Sequence, residues 1–502
     1  MTQMIALGLA AETMLFALAG FFLLWRLGYT IAEAGAGGIL LLFMALSLIH
    51  QVDISIGSQW PGLVLELIIL VGVLTAGVRR RHLLAGCFRT VGRLIGQEQF
   101  ACLIIAGGWA VMAILAGIGY GAAEFQSVKG GEVGWLHGNM ALWSSLHPIP
   151  PLNAPALFYH TSRFGLAPGA CGFGVLAHMA VGFSTYALAR RYAWPPMALT
   201  ITLMVVSMPR MVRLAMHPCA ELISVAAIVV CVLLLYRLVE QHMVWDLQFF
   251  LLCLSFSIYA HPMSLALVPV LVLLLTVVMM RRHGWLLCRE LIIARPIPMV
   301  IVILLVMGLV QVHVFAMNLA NGHPLLGRAV VFDTDGIIGA TANLIRYLFI
   351  SIDPTEAVRN ALVWLVGLDL KQVMTGLYNM TVVSLFGRSG ASAEFVPVFS
   401  GSGPAGFGPV AALLVLPAMV HAALRGPRRL KALSVAWLGY LYLAALILAW
   451  TADNLIVLSP LYVANGFMVA FFLPPWRLRR RGMRLLQVLF VLLLVLAVIG
   501  NR

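Results

Sequence analysis

Charged side chains are what this sequence has least of: they make up 10% of its 502 residues, against 62% that are hydrophobic. A water-soluble domain carries roughly 25% charged residues to cover its surface. The shortage excludes a chain solvated by water over most of its area, and a mean hydropathy of +1.00 points the same way. Acids are the scarcer sign, with 18 Asp and Glu against 32 Lys and Arg. There is no CxxC pair and no Cys/His spacing suited to a zinc motif. Most of the seven cysteines lie inside apolar runs, where a small buried thiol needs no further role. The first apolar run, Met4 to Leu24, lacks a basic stretch before it and a small-residue cleavage site after it. It reads as a first span, not a cleaved signal. No polar stretch is long enough for a soluble domain of any size. No internal repeat is evident, which weakens an inverted-repeat transporter.

What is present is a succession of apolar stretches of about 17–25 residues, the length a bilayer core requires. They predict an all-α integral membrane protein with about fourteen transmembrane helices. The spans fall near 4–25, 35–50, 60–78, 100–119, 169–189, 196–212, 219–238, 247–260, 262–280, 296–317, 408–424, 432–451, 455–473 and 485–499. The net charge of +14 comes from short clusters at span ends: Arg79–Arg81, Arg190-Arg191, Arg281-Arg282, Arg428-Arg429 with Lys431, and Arg477 to Arg484. That is the positive-inside pattern and not a groove for nucleic acid. With these clusters cytoplasmic, both termini lie outside. Two long segments, 121–168 and 318–408, then face out. Both hold aromatics, prolines and charges of both signs, so they should fold against the membrane surface. Short interfacial helices are expected over Ile338–Ile350 and Glu356–Leu368. The chain divides into N-terminal helices (1–99), a transmembrane core with the two outer loops (100–475), and a basic cytoplasmic loop with the last helix (476–502).

Short motifs recur around the first outer segment. It reads Gly131-Glu132-Val133-Gly134-Trp135-Leu136-His137, then Trp143, then His147-Pro148-Ile149-Pro150-Pro151-Leu152-Asn153. A span ending in Ala189-Arg190-Arg191 follows, then Met208-Pro209-Arg210 and His217-Pro218-Cys219-Ala220-Glu221. Asn321-Gly322-His323-Pro324-Leu325 opens the second outer segment. This order resembles the GT-C superfamily of membrane glycosyltransferases, which includes the polyprenyl-phosphate-sugar-dependent mannosyl- and aminoarabinosyl-transferases. The resemblance covers about Phe100 to Pro475. It departs from the family pattern at several points. Glu132 stands where the family has Asp, Leu136 where it has Tyr, and His323 where it has Asn. The family's late arginine, four residues before a proline, is absent, because Ile456 precedes Pro460.

The resemblance implies transfer of a sugar from a polyprenyl-phosphate donor to a lipid, glycan or protein. The setting would be the outer face of a bacterial inner membrane. Membrane lipid and the lipid-linked sugar are then the partners, and no nucleic acid is involved. The chemistry needs a base for the acceptor hydroxyl, cations for the phosphate leaving group and an apolar groove for the lipid. Glu132 is the favoured base, with Glu124 second and His137 orienting it; either acid can equally be a solvated loop residue. Arg210 and Arg213, three apart at the outer end of a helix, suit phosphate oxygens, as do Arg328 and Arg346; arginines at span ends also snorkel as anchors. His217 and Glu221 face the same side, and Glu221 in a first helical turn is stabilised by the helix dipole. A divalent metal is left open, because Glu132, His137 and Glu221 do not have zinc-motif spacing. Glu12 and Glu66 lie within the first and third spans, outside the region of resemblance, and suit helix–helix hydrogen bonds. Two other classes compete with an enzyme: a non-catalytic membrane subunit of the same fold, and a lipid or solute transporter.

Overall fold

The computed structural model describes residues 2–79, 99–117, 151–164, 169–280, 282–290, 296–323, 336–352, 369–383, 410–448, 455–473 and 480–500, with a few isolated positions between them. The described residues are helical and contain no strand. The helices are α1 (Thr2–Arg26), α2 (Ile31–Ile56), α3 (Trp60–Arg79), α4 (Gln99–Gly117), α5 (Asn153–Ser162), α6 (Ala170–Ala189) and α7 (Pro195–Val206). They continue with α8 (Pro209–Met216), α9 (Ala220–Gln241), α10 (Val244–Ala260), α11 (Val268–Met279), α12 (Arg282–Arg289), α13 (Pro296–Leu309) and α14 (Val312–Ala320). The last are α15 (Gly336–Ile352), α16 (Leu370–Tyr378), α17 (Leu416–Arg425), α18 (Arg428–Ile447), α19 (Leu455–Asn465) and α20 (Arg480–Gly500).

Five described helices are long and apolar enough to cross a membrane, or up to seven spans if each bent pair counts as one. The apolar stretches of the other helices, such as Trp60–Ala76 and Gly482–Val498, run 10–17 residues, short of the roughly 20 that a straight crossing needs. Two segments expected as single spans are bent. α7 and α8 meet at 66°, because Pro209 offers no N–H and its ring would collide with the carbonyl four residues back. α13 and α14 meet at 44°, at Gln311, whose φ of 55° is left-handed. α15 covers the helix expected over Ile338–Ile350, while the stretch expected over Glu356–Leu368 lies mostly outside the described residues.

The chain forms two compact units, each assembled from separated stretches. The first comprises Met1–Ala187, Leu214–Val268 and Leu275–Ala329. Within it α1 packs on α2 through small residues. A Cβ added to Gly38 would sit 2.6 Å from the Phe21 nitrogen and 2.8 Å from the Ala17 oxygen, so only hydrogen fits. Close backbone approach of this kind is how apolar helices gain dispersion contact in lipid.

α2 starts at a capping box between Thr30 and Glu33. There the Arg237 guanidinium of α9, fully buried, gathers its partners. It donates to Glu33 Oε2 at 2.7 Å, Asp246 Oδ1 at 3.0 Å and Gln241 Oε1 at 2.7 Å. It also lies 3.6 Å over the Tyr29 ring. The Tyr29 hydroxyl donates to Asp246 Oδ1 at 2.5 Å. Burial, with the Asp246 charge beside it, pushes the Tyr29 phenol up, which keeps it a donor.

The second unit comprises Leu188–Arg213, Pro269–Leu274 and Val330–Arg502. Its helices are stitched by buried polar side chains. Asn343 of α15 donates to the Ala445 carbonyl of α18 at 3.1 Å. Tyr462 of α19 donates to Ser351 at 2.7 Å, and Gln487 of α20 to Thr200 of α7 at 3.0 Å. An open, largely apolar groove of about 610 Å³ lies between Tyr347, Leu416, Val420, His421, Leu441 and Tyr462.

Candidate functional site

A buried polar cluster lies in the first unit, where α2, α3 and α5 meet. His50 and Asp53 stand three residues apart on α2, and so on one helical face. α3 contributes Glu66, α5 contributes His160, and Arg163 follows immediately after α5. All five side chains are essentially excluded from solvent. Three atoms converge on one point. His50 Nε2 is 3.1 Å from His160 Nδ1, His160 Nδ1 is 3.1 Å from Glu66 Oε1, and His50 Nε2 is 3.2 Å from the same oxygen.

Two of the three converging groups are held from behind, while the buried His160 Nε2 has no hydrogen-bond partner. His50 Nδ1 faces Asp53 Oδ2 at 3.2 Å. Asp53 Oδ1 accepts from the Gly62 N–H at 2.6 Å. A Cβ on Gly62 would run into the Asp53 carboxylate, so glycine is what admits Asp53 at the α2–α3 turn. Arg163 Nη2 donates to Glu66 Oε2 at 2.5 Å, leaving Oε1 to the histidines. Burial drives the His160 imidazole down to about 4, against the pull of Glu66, so the ring is neutral near pH 7. α5 is ten residues long, too short to cross a bilayer. Glu12 of α1 is near enough to feel the charges of Glu66, Arg163 and His50.

The segment leading into α5 is locked in place by an amide hub. Asn153 Oδ1 accepts from Ser47 at 2.8 Å, Gln51 at 2.9 Å and Gln311 at 2.8 Å. Its Nδ2 donates to the carbonyls of Phe256 at 3.0 Å and Leu309 at 2.9 Å. The α13–α14 break at Gln311 interrupts the helical ladder just after Leu309, and Asn153 bonds its carbonyl. Asn318 pairs both ways with the backbone of Ile149, at 2.9 Å each. Buried amides of this sort are costly unless satisfied, and here each amide has partners.

Of the residues anticipated from sequence, some are described and some are not. Glu124, Glu132, His137 and Arg328 lie outside the described residues. Arg210 is buried in the first turn of α8; its Nε donates to Ser459 at 3.1 Å and its guanidinium lies 5.7 Å over Phe407. Arg213, in the last turn of α8, is half-buried, as is His217 just beyond it. Glu221 occupies the first turn of α9, as its position after Pro218 leads one to expect, and is buried. Arg346 is buried in α15, donating to Tyr378 at 2.8 Å and to Asn343 at 2.9 Å. Arg210 and Arg346 are thus engaged with neighbouring side chains of their own unit.

Glu66 does make helix–helix contacts, as an intramembrane acid should, but its partners were not anticipated. One signal was available: an acid and a histidine three apart, His50 and Asp53, at the end of an apolar run. It was hidden because the second span is expected to end at residue 50, whereas α2 runs on to Ile56 and carries Asp53 with it. No family model matches this chain, and no characterised protein or solved structure matches it.

Proposed function

We propose that this chain is a GT-C-like membrane glycosyltransferase that moves a sugar from a polyprenyl-phosphate donor to an acceptor hydroxyl at the outer face of the membrane. The observation that carries this reading is the order of short motifs set between apolar helices: Glu132 with His137, Pro150-Pro151, Arg190-Arg191, Met208-Pro209-Arg210 and His217 to Glu221. The all-helical, apolar architecture is compatible with it. The apolar groove in the second unit, rimmed by Tyr347, Tyr462 and His421, has the chemistry an isoprenoid chain requires. Fourteen crossings, with segments 121–168 and 318–408 outside, belong to the same proposal. It is supported by α5, from the first of those segments, packing against the α2–α3 turn, which that topology puts on the outer side.

In this mechanism the acceptor oxygen attacks the anomeric carbon, the bond from that carbon to the phosphate oxygen breaks, and polyprenyl phosphate leaves. Glu132 takes the hydroxyl proton, with His137 orienting the carboxylate. Arg210 or Arg213 of α8 holds the phosphate.

The test is transfer from a synthetic polyprenyl-phosphate sugar by the full-length protein in lipid. Glu132→Gln should lower turnover by about 10²-fold or more, with folding intact. Full activity in that variant would remove Glu132 from the role. A wild-type protein that neither binds nor turns over the donor would favour the non-catalytic subunit. That second reading has its own support, because Arg210 and Arg346 are both buried and engaged internally.

A further inference from the structure

We propose that His50, Glu66 and His160 form a binding site for a divalent first-row transition ion, zinc or ferrous iron by ligand type, built into the outer end of the first unit. The inference stands independently of sugar transfer. Metal–ligand bonds to imidazole and carboxylate are about 2.0–2.1 Å long. Ligand atoms then lie about 2.9 Å apart at right angles and about 3.3–3.4 Å apart at the tetrahedral angle. The three separations here, 3.1, 3.1 and 3.2 Å, fall between those limits.

Asp53 faces His50 Nδ1, so that nitrogen carries the proton and Nε2 presents a lone pair. Glu66 Oε1 presents another. Between them His160 Nδ1 can supply a single proton to two acceptors. In that tautomer His50 Nε2 and Glu66 Oε1 face each other 3.2 Å apart as lone-pair atoms, the arrangement a cation needs. Two further features belong to metal sites. A carboxylate behind a histidine fixes its tautomer and raises its basicity. An arginine on Glu66 Oε2 fixes that carboxylate with its other oxygen free. The cluster sets the two carboxylates of Asp53 and Glu66 against the one guanidinium of Arg163, a balance that favours a dication. Two histidines and one carboxylate are a ligand set common to catalytic zinc and to non-haem iron sites, both of which keep an open position. The ion would also tie α2, α3 and α5 together.

The experiment uses full-length protein without a polyhistidine tag, stripped with chelator in detergent and reloaded with Co²⁺ or Zn²⁺. Wild type should retain a single ion per chain by elemental analysis, show Co²⁺ ligand-field absorption, and melt at a higher temperature with metal than without. Glu66→Gln and His160→Gln should abolish retention while eluting as folded protein. Wild type that retains nothing above background overturns the proposal. So does retention undiminished in both variants. If those variants fail to fold, Asp53→Asn decides. It keeps all three ligands and the Gly62 contact, but the Asn amide can turn a donor toward His50 Nδ1, which places the proton on Nε2. Metal affinity should drop about 10–100-fold, as for other groups behind a ligand. An unchanged affinity in Asp53→Asn sinks the site.

Discussion

At the scale of single residues, several of the described charges lie in buried polar clusters. Arg237 illustrates the energetics. Its guanidinium has three hydrogen-bonded partners and a ring beneath it, with no exposure to water. Arg237→Met should therefore destabilise by about 3–5 kcal/mol, because Glu33 and Asp246 would be left buried without a counter-charge. Thermal unfolding in detergent checks this. Replacing Glu33, Asp246 and Arg237 together by apolar residues should recover much of the loss, since what costs most is the orphaned charge and not the missing pair. A triple variant as unstable as Arg237→Met would refute that account. Asn153 sits in the same logic. Asn153→Ala removes a partner from the Phe256 and Leu309 carbonyls and from the amides of Gln51 and Gln311. A loss of at least about 2–3 kcal/mol is expected from buried polar groups left unpaired. Asn153→Asp, which cannot donate to the two carbonyls, should be no better than the alanine variant.

At the scale of elements, α2 organises the first unit. One end carries Glu33 in the Arg237 cluster, and the other carries His50 and Asp53 in the His–Glu–His cluster. The 17 residue-to-residue steps from Glu33 to His50 rise about 26 Å at 1.5 Å each. That is close to the roughly 30 Å of a bilayer's hydrocarbon core. Polar groups therefore gather where an apolar helix leaves the lipid. Between the clusters, α2 meets α1 through glycine. Gly38→Leu should force α1 away, because the side chain would overlap the backbone of Phe21 and Ala17. Overpacking of this kind costs about 1–3 kcal/mol, and limited proteolysis should cut the α1–α2 turn faster in the variant. Cleavage at the wild-type rate would mean that α1 tolerates the displacement. The bends are element-scale decisions too. Pro209 dictates the α7–α8 bend by local chemistry, while no proline marks the α13–α14 bend. That second one rests on Gln311, buried and left-handed, reaching back to Asn153 and Leu152.

At the scale of the whole molecule, orientation is the testable property. On a background without native cysteines, an impermeant thiol reagent applied to intact cells should label a cysteine at Ser58, in the α2–α3 turn, and leave one at Arg80 unlabelled. Labelling at Arg80 would reverse the topology and move the His–Glu–His cluster to the cytoplasmic side. The sequence by itself determined that the chain is helical and apolar enough for a membrane, because span length and charge scarcity are local sums that need no partner. It also located Glu221 in a first helical turn, since Pro218 and the apolar run after it set that boundary locally. It marked Glu66 as an acid needing a partner, because an isolated carboxylate in lipid is unaffordable. Only the tertiary structure decided who the partner was. His50, Glu66 and His160 are separated by 16 and 94 positions, and no periodicity links them. They meet because α5, fixed by Asn153 and Asn318 to the α13–α14 break, is delivered onto the end of α2. Likewise only packing showed that Arg210 bonds Ser459 and that Arg346 bonds Tyr378 and Asn343. A side chain's partners depend on which helices touch, and that is set by close approach at Gly38 and Gly62 and by buried amides, none of which a single sequence ranks above its many other glycines and amides.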